Sequence, residues 1–169
     1  VDTLRSGWVT TGPKARRFEQ AFAEFLGDPS LQCVAVNSAT AGLHLALEAM
    51  GIGPGDEVIT VSHTFIATAE SIGQTGARPV FVDVDDVALL VDPALVEKAV
   101  TPRTKAIVVV HLYGCPVDME AIGAIARKHG FIARCGDEYV AFAPPLVIER
   151  ADLDELLNRA TDVLHEMVG

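Results

Sequence analysis

Four short, mostly apolar runs, at 33–36, 57–61, 79–84 and 106–110, alternate along the chain with stretches of helical periodicity. A run that is apolar on both faces belongs in a sheet covered on both sides, and intervening helices make that sheet parallel. The pattern predicts an α/β fold of three layers: a mainly parallel sheet of about four strands flanked by helices. Right-handed crossovers bring the loops that follow the strands to one edge, where such sheets bind ligands. The candidate site loops are therefore 37–41, 62–65, 83–86 and 111–116.

The helices are marked by punctuation and by stripes. Thr11-Gly12-Pro13 opens the first, with Pro where its missing N–H does no harm, and Phe18, Phe22, Phe25 and Leu26 share one face until Gly27. A second follows Asn37-Ser38-Ala39-Thr40, with Leu43, Leu47 and Met50 on one stripe and Gly51 at its end. Gly53-Pro54-Gly55-Asp56 reads as a turn before the strand at 57–61. Further helices are expected over 67–75, from Asp92-Pro93, and from Asp118 to Gly130. After Phe131 the grammar changes. Segments 132–135 and 139–143 flank Gly136-Asp137 like a hairpin, Pro144-Pro145 follows, and a last helix is expected over 151–168. The predicted organisation is one α/β domain over 1–131 and a small α+β segment over 132–169.

Charge and composition exclude several classes of function. The formal net charge is -10, from 23 acidic against 13 basic side chains, so nucleic acid is not an expected partner. No apolar run approaches the ~20 residues that span a bilayer, so no membrane association is expected. Cys33, Cys115 and Cys135 form no CxxC pair and are odd in number, which argues against a disulfide framework or a cysteine zinc site and fits a reducing cytoplasm. The start, Val1-Asp2-Thr3-Leu4-Arg5, is unlike a signal peptide and lacks Met, as a trimmed chain or fragment would.

The strongest local chemical signal is a strand followed by Asn37-Ser38-Ala39-Thr40-Ala41 and a helix. Small residues there let a phosphate approach the unpaired amides of the helix's first turn, whose dipole favours an anion. Ordinary N-capping by Ser38 or Thr40 explains the same residues. Phe65, after Ser62-His63-Thr64, could stack on a flat cofactor ring or pack in the core. Asp83, Asp85 and Asp86 suit loop solvation and capping better than a cation site. His44 and His111 have no metal-spaced partner, and no metal is expected.

Together the motifs say more. Ser6-Gly7-Trp8-Val9-Thr10-Thr11-Gly12-Pro13, Asn37-Ser38-Ala39-Thr40-Ala41-Gly42-Leu43-His44, Gly53-Pro54-Gly55-Asp56-Glu57-Val58-Ile59, His63-Thr64-Phe65-Ile66-Ala67-Thr68-Ala69, Pro79-Val80-Phe81-Val82-Asp83 and His111-Leu112-Tyr113-Gly114 occur in order. From about Leu4 to Phe131 the chain resembles the DegT/DnrJ/EryC1/StrS family. The resemblance implies a fold-type I enzyme that uses pyridoxal phosphate (PLP) to aminate keto sugars linked to nucleotides, and a homodimer with shared active sites. It implies that the backbone around Ser38, Ala39, Thr40 and Ala41 holds the PLP phosphate, that Phe65 stacks on the ring, and that 8–12 lies near the pocket. Ala39 stands where the family usually has Gly, and Cys115 where it often has Gln.

The departure after Phe131 bears on activity. There the family continues with an Asp-x-Ala-Gln/His motif, whose Asp pairs with the pyridine nitrogen, and then with the Schiff-base lysine. Neither motif is found here, and Lys14, Lys98, Lys105 and Lys128, the only lysines, do not match the second. The tail resembles instead the small-domain end of class III aminotransferases, of the ornithine and ω-amine type, which makes the chain read as truncated or chimeric. Three functions stay open at this level, with no catalytic residue assigned: an aminotransferase, a noncatalytic α/β domain able to hold PLP or another phosphate-bearing small molecule, and a self-associating module.

Overall fold

The computed structural model describes residues 1–27 and 31–130. The hairpin-like segments around Gly136-Asp137 and the helix expected over 151–168 lie outside the described residues. The chain divides into two compact units between Gly42 and Leu43.

In the first unit, α1 (Asp2–Arg5) is a single turn that no pattern in the sequence marks. The Trp8 indole then folds back and donates to the Thr11 carbonyl at 2.8 Å. Its ring lies over Gly12, where an added Cβ would stand 2.1 Å from Trp8 Cδ1, so no side chain fits there. Gly12 is the N-cap of α2 (Pro13–Phe25), with Pro13 at the first helical position. Leu26 caps the helix and Gly27, at φ 74°, turns the chain away. The phenylalanine stripe does form, with the Phe18 and Phe22 rings stacked at 6.1 Å, but Phe18 and Phe25 stay exposed.

The strand expected at 33–36 is not one. Residues 31–36 have no ladder partner among the described residues, and Val34 and Val36 are exposed. The Ala35 amide donates to Glu19 Oε1 at 2.8 Å instead. Apolar, β-branched residues express a demand for burial, but a strand exists only where a neighbour offers backbone acceptors and donors.

The second unit carries the sheet. β1 (Glu57–Val61), β2 (Arg78–Val82) and β3 (Thr104–Ile107) form three parallel strands in the order β2-β1-β3. Three strands, joined by two ladders, are found among the described residues where about four strands were expected. Only β1 is buried along its whole length, because it alone has a strand on each side and helices on both faces. Its side chains alternate between two cores. Ile59 and Val61 pack with Val96 of α5 (Pro93–Ala99) and with Ile122 and Ile125 of α6 (Met119–Lys128). Val58 packs with Ile72 of α4 (Ala67–Gln74) and with Leu47 of α3 (Ala39–Ala49). Each such buried aliphatic side chain contributes about 1.5–3 kcal/mol, so β1 anchors both layers.

Asp92 and Asp118 cap α5 and α6 as expected, accepting from Ala94 N–H at 2.8 Å and Ala121 N–H at 2.9 Å. β2 and β3 start earlier and end sooner than expected. After Val82, Val84 makes an isolated antiparallel bridge to Val91. After Ile107, the Val108 carbonyl accepts from Thr60 Oγ1 at 2.8 Å, and 109–110 leave the ladder.

Because the strands are parallel, Glu57, Arg78 and Thr104 begin them side by side at one edge, and the loops after Val61, Val82 and Ile107 leave from the other. The chain steps from β1 to β2 on one side and then crosses to β3 on the other. That reversal puts the switch point between the loops following β1 and β3.

Candidate functional site at the carboxyl edge of the sheet

The loop after β1 exposes Ser62, His63, Phe65 and Ile66. It is held by the Thr64 amide donating to the Ser62 carbonyl at 3.0 Å and by a 2.8 Å contact between the Thr64 and Thr68 hydroxyls. These bonds fix the loop's shape, and Phe65 is 77% exposed, so it is not a core residue. Facing it across the switch point is the loop after β3. There His111 Nδ1 accepts from the Val117 amide at 3.1 Å, which places the ring proton on Nε2. Tyr113 meets His63 edge-on, with ring centroids 6.3 Å apart.

In the first unit, the turn at 37–41 has the geometry of a capped helix start. Ser38 Oγ accepts from the Ala41 amide at 3.1 Å, and the Ser38 carbonyl accepts from the Gly42 amide at 3.1 Å. Capping by Ser38 is thus what the structure shows. The cap leaves the Ala39 and Thr40 amides, in the first turn of α3, without an intrahelical acceptor. Asn37, Ser38 and Ala39 are exposed. Ser38 Oγ directs its proton to Asn37 Oδ1 only at 3.5 Å, a contact that an anionic oxygen could replace. These groups fit a phosphate, and the Ala39 methyl, at the surface, does not fill the approach. Ser38, Ala39, Thr40 and Ala41 therefore share one turn, whereas Phe65 belongs to the other unit.

The remaining candidates are structural. Asp85 accepts from the Val87, Ala88 and Leu90 amides at 2.9, 2.6 and 3.2 Å, and these bonds hold its carboxyl below the ordinary range. Asp83 accepts from the Val84 amide. His44 Nε2 lies 3.3 Å from Glu48 Oε1, one helical turn on. No cluster of three metal-ligating side chains occurs among the described residues.

The opposite edge holds a group that the sequence did not single out. Glu57 is fully buried. Its Oε1 accepts from Arg78 Nη2 at 2.5 Å and from Arg103 Nη2 and Nε at 2.5 and 2.8 Å, and its Oε2 accepts from Thr101 Oγ1 at 2.6 Å. The Arg78 hydrogen bond, followed by those of Thr101 and Arg103, pulls its pKa down to about 2 against the opposing effect of burial. A surface cavity of about 640 Å³ lies at this same edge, lined in part by Asp56, Thr101, Lys105 and His129.

The distribution of cations follows the same division. Between 43 and 130 the Lys and Arg residues are Arg78, Lys98, Arg103, Lys105, Arg127 and Lys128. Arg78 opens β2, Arg103 just precedes β3 and Lys105 is its second residue, while Lys98, Arg127 and Lys128 lie in the last turns of the returning helices. Lys128 pairs with Glu97, fixing the ends of α5 and α6 together. All six thus occupy the amino edge, and the loops bearing Phe65 and Tyr113 contain none.

A family model described as the DegT/DnrJ/EryC1/StrS aminotransferase family matches residues 1–133. The chain belongs to that family. Among its relatives, the spore coat polysaccharide biosynthesis protein SpsC of Bacillus subtilis (strain 168) is 57% identical over 130 residues, which are 77% of this chain and 33% of SpsC. Among solved structures, S. venezuelae DesV in complex with a ketimine intermediate is 47% identical, with a TM-score of 0.70 over 77% of this chain and 34% of DesV. NtdA from Bacillus subtilis, with bound cofactor PMP, is 35% identical, with a TM-score of 0.72 over 77% of this chain and 29% of NtdA. The chain thus spans about a third of the length of the relatives it matches. The parallel sheet with its flanking helices corresponds to a fragment of the fold-type I aminotransferases.

Proposed function

We propose that residues 1–131 are the cofactor-cradling portion of a PLP-dependent aminotransferase for keto sugars of the nucleotide-linked kind, and that this chain alone is catalytically incomplete. The observation that carries the second clause is the placement of the lysines. Three of the four, Lys98, Lys105 and Lys128, are at the amino edge of the sheet, away from Phe65, and Lys14 lies in the first turn of α2, in the Val1–Gly42 unit.

The Ala39 and Thr40 amides would bind the phosphate, Ala41 would close the turn, and the Ser38 hydroxyl would turn its proton from Asn37 to a phosphate oxygen. Phe65 would orient the pyridine ring and exclude water from one face of it. PLP, when bound, supplies the electron sink for moving an amino group. Residues 132–169 carry the resemblance to the small-domain end of class III enzymes and make the chain a join at about 131. Its setting is the cytoplasm, as cysteines outside any CxxC pair suggest. Among the described residues no helix is long and apolar enough to cross a membrane.

The test is an absorbance spectrum of the purified chain mixed with PLP, before and after borohydride, with mass spectrometry to locate any modified lysine. The expected result is binding that inorganic phosphate competes away, with scattered lysine labelling or none. One dominant, phosphate-protected lysine would instead reveal a working attachment site and sink the claim of incompleteness.

Exposed apolar side chains favour homo-oligomerisation as a second property. Phe18, Phe25, Val34 and Val36 are all exposed within the first unit, and 31–36 has no ladder partner among the described residues. Sedimentation velocity across a hundredfold concentration range should show association, and a monomer at every concentration would rule it out.

A further inference from the structure

Tyr113 occupies a backbone position that chain folding gives it little reason to hold. With φ 54° and ψ 25° it is followed by Gly114 at φ 79°, and the Cys115 amide donates to the Leu112 carbonyl at 2.9 Å across the pair. Two successive positive φ values inside a closed four-residue turn are the pattern of a type I′ turn. Asn-Gly fills that turn with least strain, and a bulky aromatic side chain in its first central position is disfavoured.

Among the described residues the other non-glycine residue with positive φ is Leu89, and its strain has a structural cause. It lies in the loop that Asp85 ties down by three amides. The turn of Tyr113 is tied as well, by the Val117 amide on His111 Nδ1 and the Gly114 amide on the His111 carbonyl, but those ties need no aromatic side chain at 113. The Tyr113 ring is 88% exposed, and its hydroxyl has no protein partner among the described residues. Its aromatic contact is the edge-on approach to His63, on the other side of the switch point. Strain retained by an exposed side chain at a ligand-binding edge points to a ligand.

The chemistry of the edge narrows what that ligand is. The loops at 62–66 and 108–117 contain no Lys or Arg, while the exposed groups include the Ser62 and Tyr113 hydroxyls, the His63 and His111 imidazoles and the Phe65 ring. Hydroxyls and imidazoles beside aromatic faces suit a ring with polar substituents, and a pyrophosphate would find no Lys or Arg in these two loops.

We infer that Tyr113, with His63 beside it, is a substrate-binding residue that contacts the hydroxyl-bearing sugar ring of the substrate and not the cofactor. The inference rests on the keto-sugar reading above, and it assigns the sugar contact to the strained turn after β3.

The test uses the whole chain, UDP-glucose and PLP as separate probes, and Tyr113→Asn. Saturation-transfer NMR should show transfer to the sugar protons of UDP-glucose. Tyr113→Asn should weaken UDP-glucose binding by about tenfold, keep PLP affinity within about twofold, and raise Tm by roughly 2–4 °C through relief of strain. Unchanged UDP-glucose affinity in the variant, or no transfer to the sugar in the wild-type chain, overturns the inference. So does an equal loss of PLP affinity, which would place Tyr113 at the cofactor, or a fall in Tm, which would make the side chain structural. Sugar binding that depends on Tyr113 in a chain that never binds PLP would remove the cofactor reading and leave this one standing.

Discussion

The two edges of one small sheet are built on opposite rules. At the amino edge, one buried carboxylate is saturated by two guanidinium groups and a hydroxyl, and the cations between 43 and 130 cluster around it or at the helix ends nearby. At the carboxyl edge, aromatic rings stand in solvent and one residue is held in a strained turn. The contrast teaches where each edge has used its interactions. The first uses them to bind the strands to one another, and the second leaves its aromatic side chains in solvent.

Substitutions can break that contrast, and the largest effect is expected at Glu57. Glu57→Gln leaves Arg78 and Arg103 facing each other with their shared anion removed, and should lower the thermal midpoint more than any change at the carboxyl edge. A midpoint within a degree of wild type would mean that the cluster is ornamental. Acid should produce the next largest effect. The folded pKa of Glu57 lies below its ordinary value of 4.5, at about 2. Its stabilisation is therefore complete above pH 4.5 and is lost as pH falls toward 2. Thermal midpoints measured across that window should fall steeply for the wild type and less steeply for Glu57→Gln.

The carboxyl edge should respond in the other direction or hardly at all. Tyr113→Asn should gain about 1 kcal/mol in urea denaturation, since a left-handed residue of this kind carries roughly that cost. Phe65→Ala should change stability by no more than ~0.5 kcal/mol while PLP binding, followed by absorbance, weakens, because an exposed ring leaves no cavity. A loss of several kcal/mol there would make Phe65 a core residue and erase the distinction between the edges. The smallest effect is expected from Glu97→Gln, whose contacts with Lys128 and His129 lie at the surface and contribute weakly, and a melt should show only a slight fall.

How much of this was legible follows from what sequence patterns encode. The strand at 57–61 was readable because it is the one buried on both faces, and the caps at Asp92 and Asp118 because a cap is a local event. The segment at 33–36 was misread for the opposite reason. Its apolar residues were visible, but the presence of a ladder partner is not a property of the segment itself. The turn at Ser38 and the loop carrying Phe65 were singled out by their place at the ends of apolar runs, by the small residues at a helix start, and by the family resemblance. The Glu57 cluster was invisible because its partners lie 21, 44 and 46 residues away, and no local spacing links them. A Glu opening an apolar run, with Arg at or just before the start of two neighbouring runs, is the signal that could have revealed it.

Trp8 is the chain's single tryptophan, and its indole is fastened over Gly12 by the bond to the Thr11 carbonyl. It is therefore a built-in optical probe confined to the Val1–Gly42 unit. Excited selectively, its emission follows the unclasping of that turn, while circular dichroism sums the helices and strands of both units. If the two signals melt at different temperatures, the chain unfolds in separate steps, and fluorescence alone would time the wrong one for the sheet.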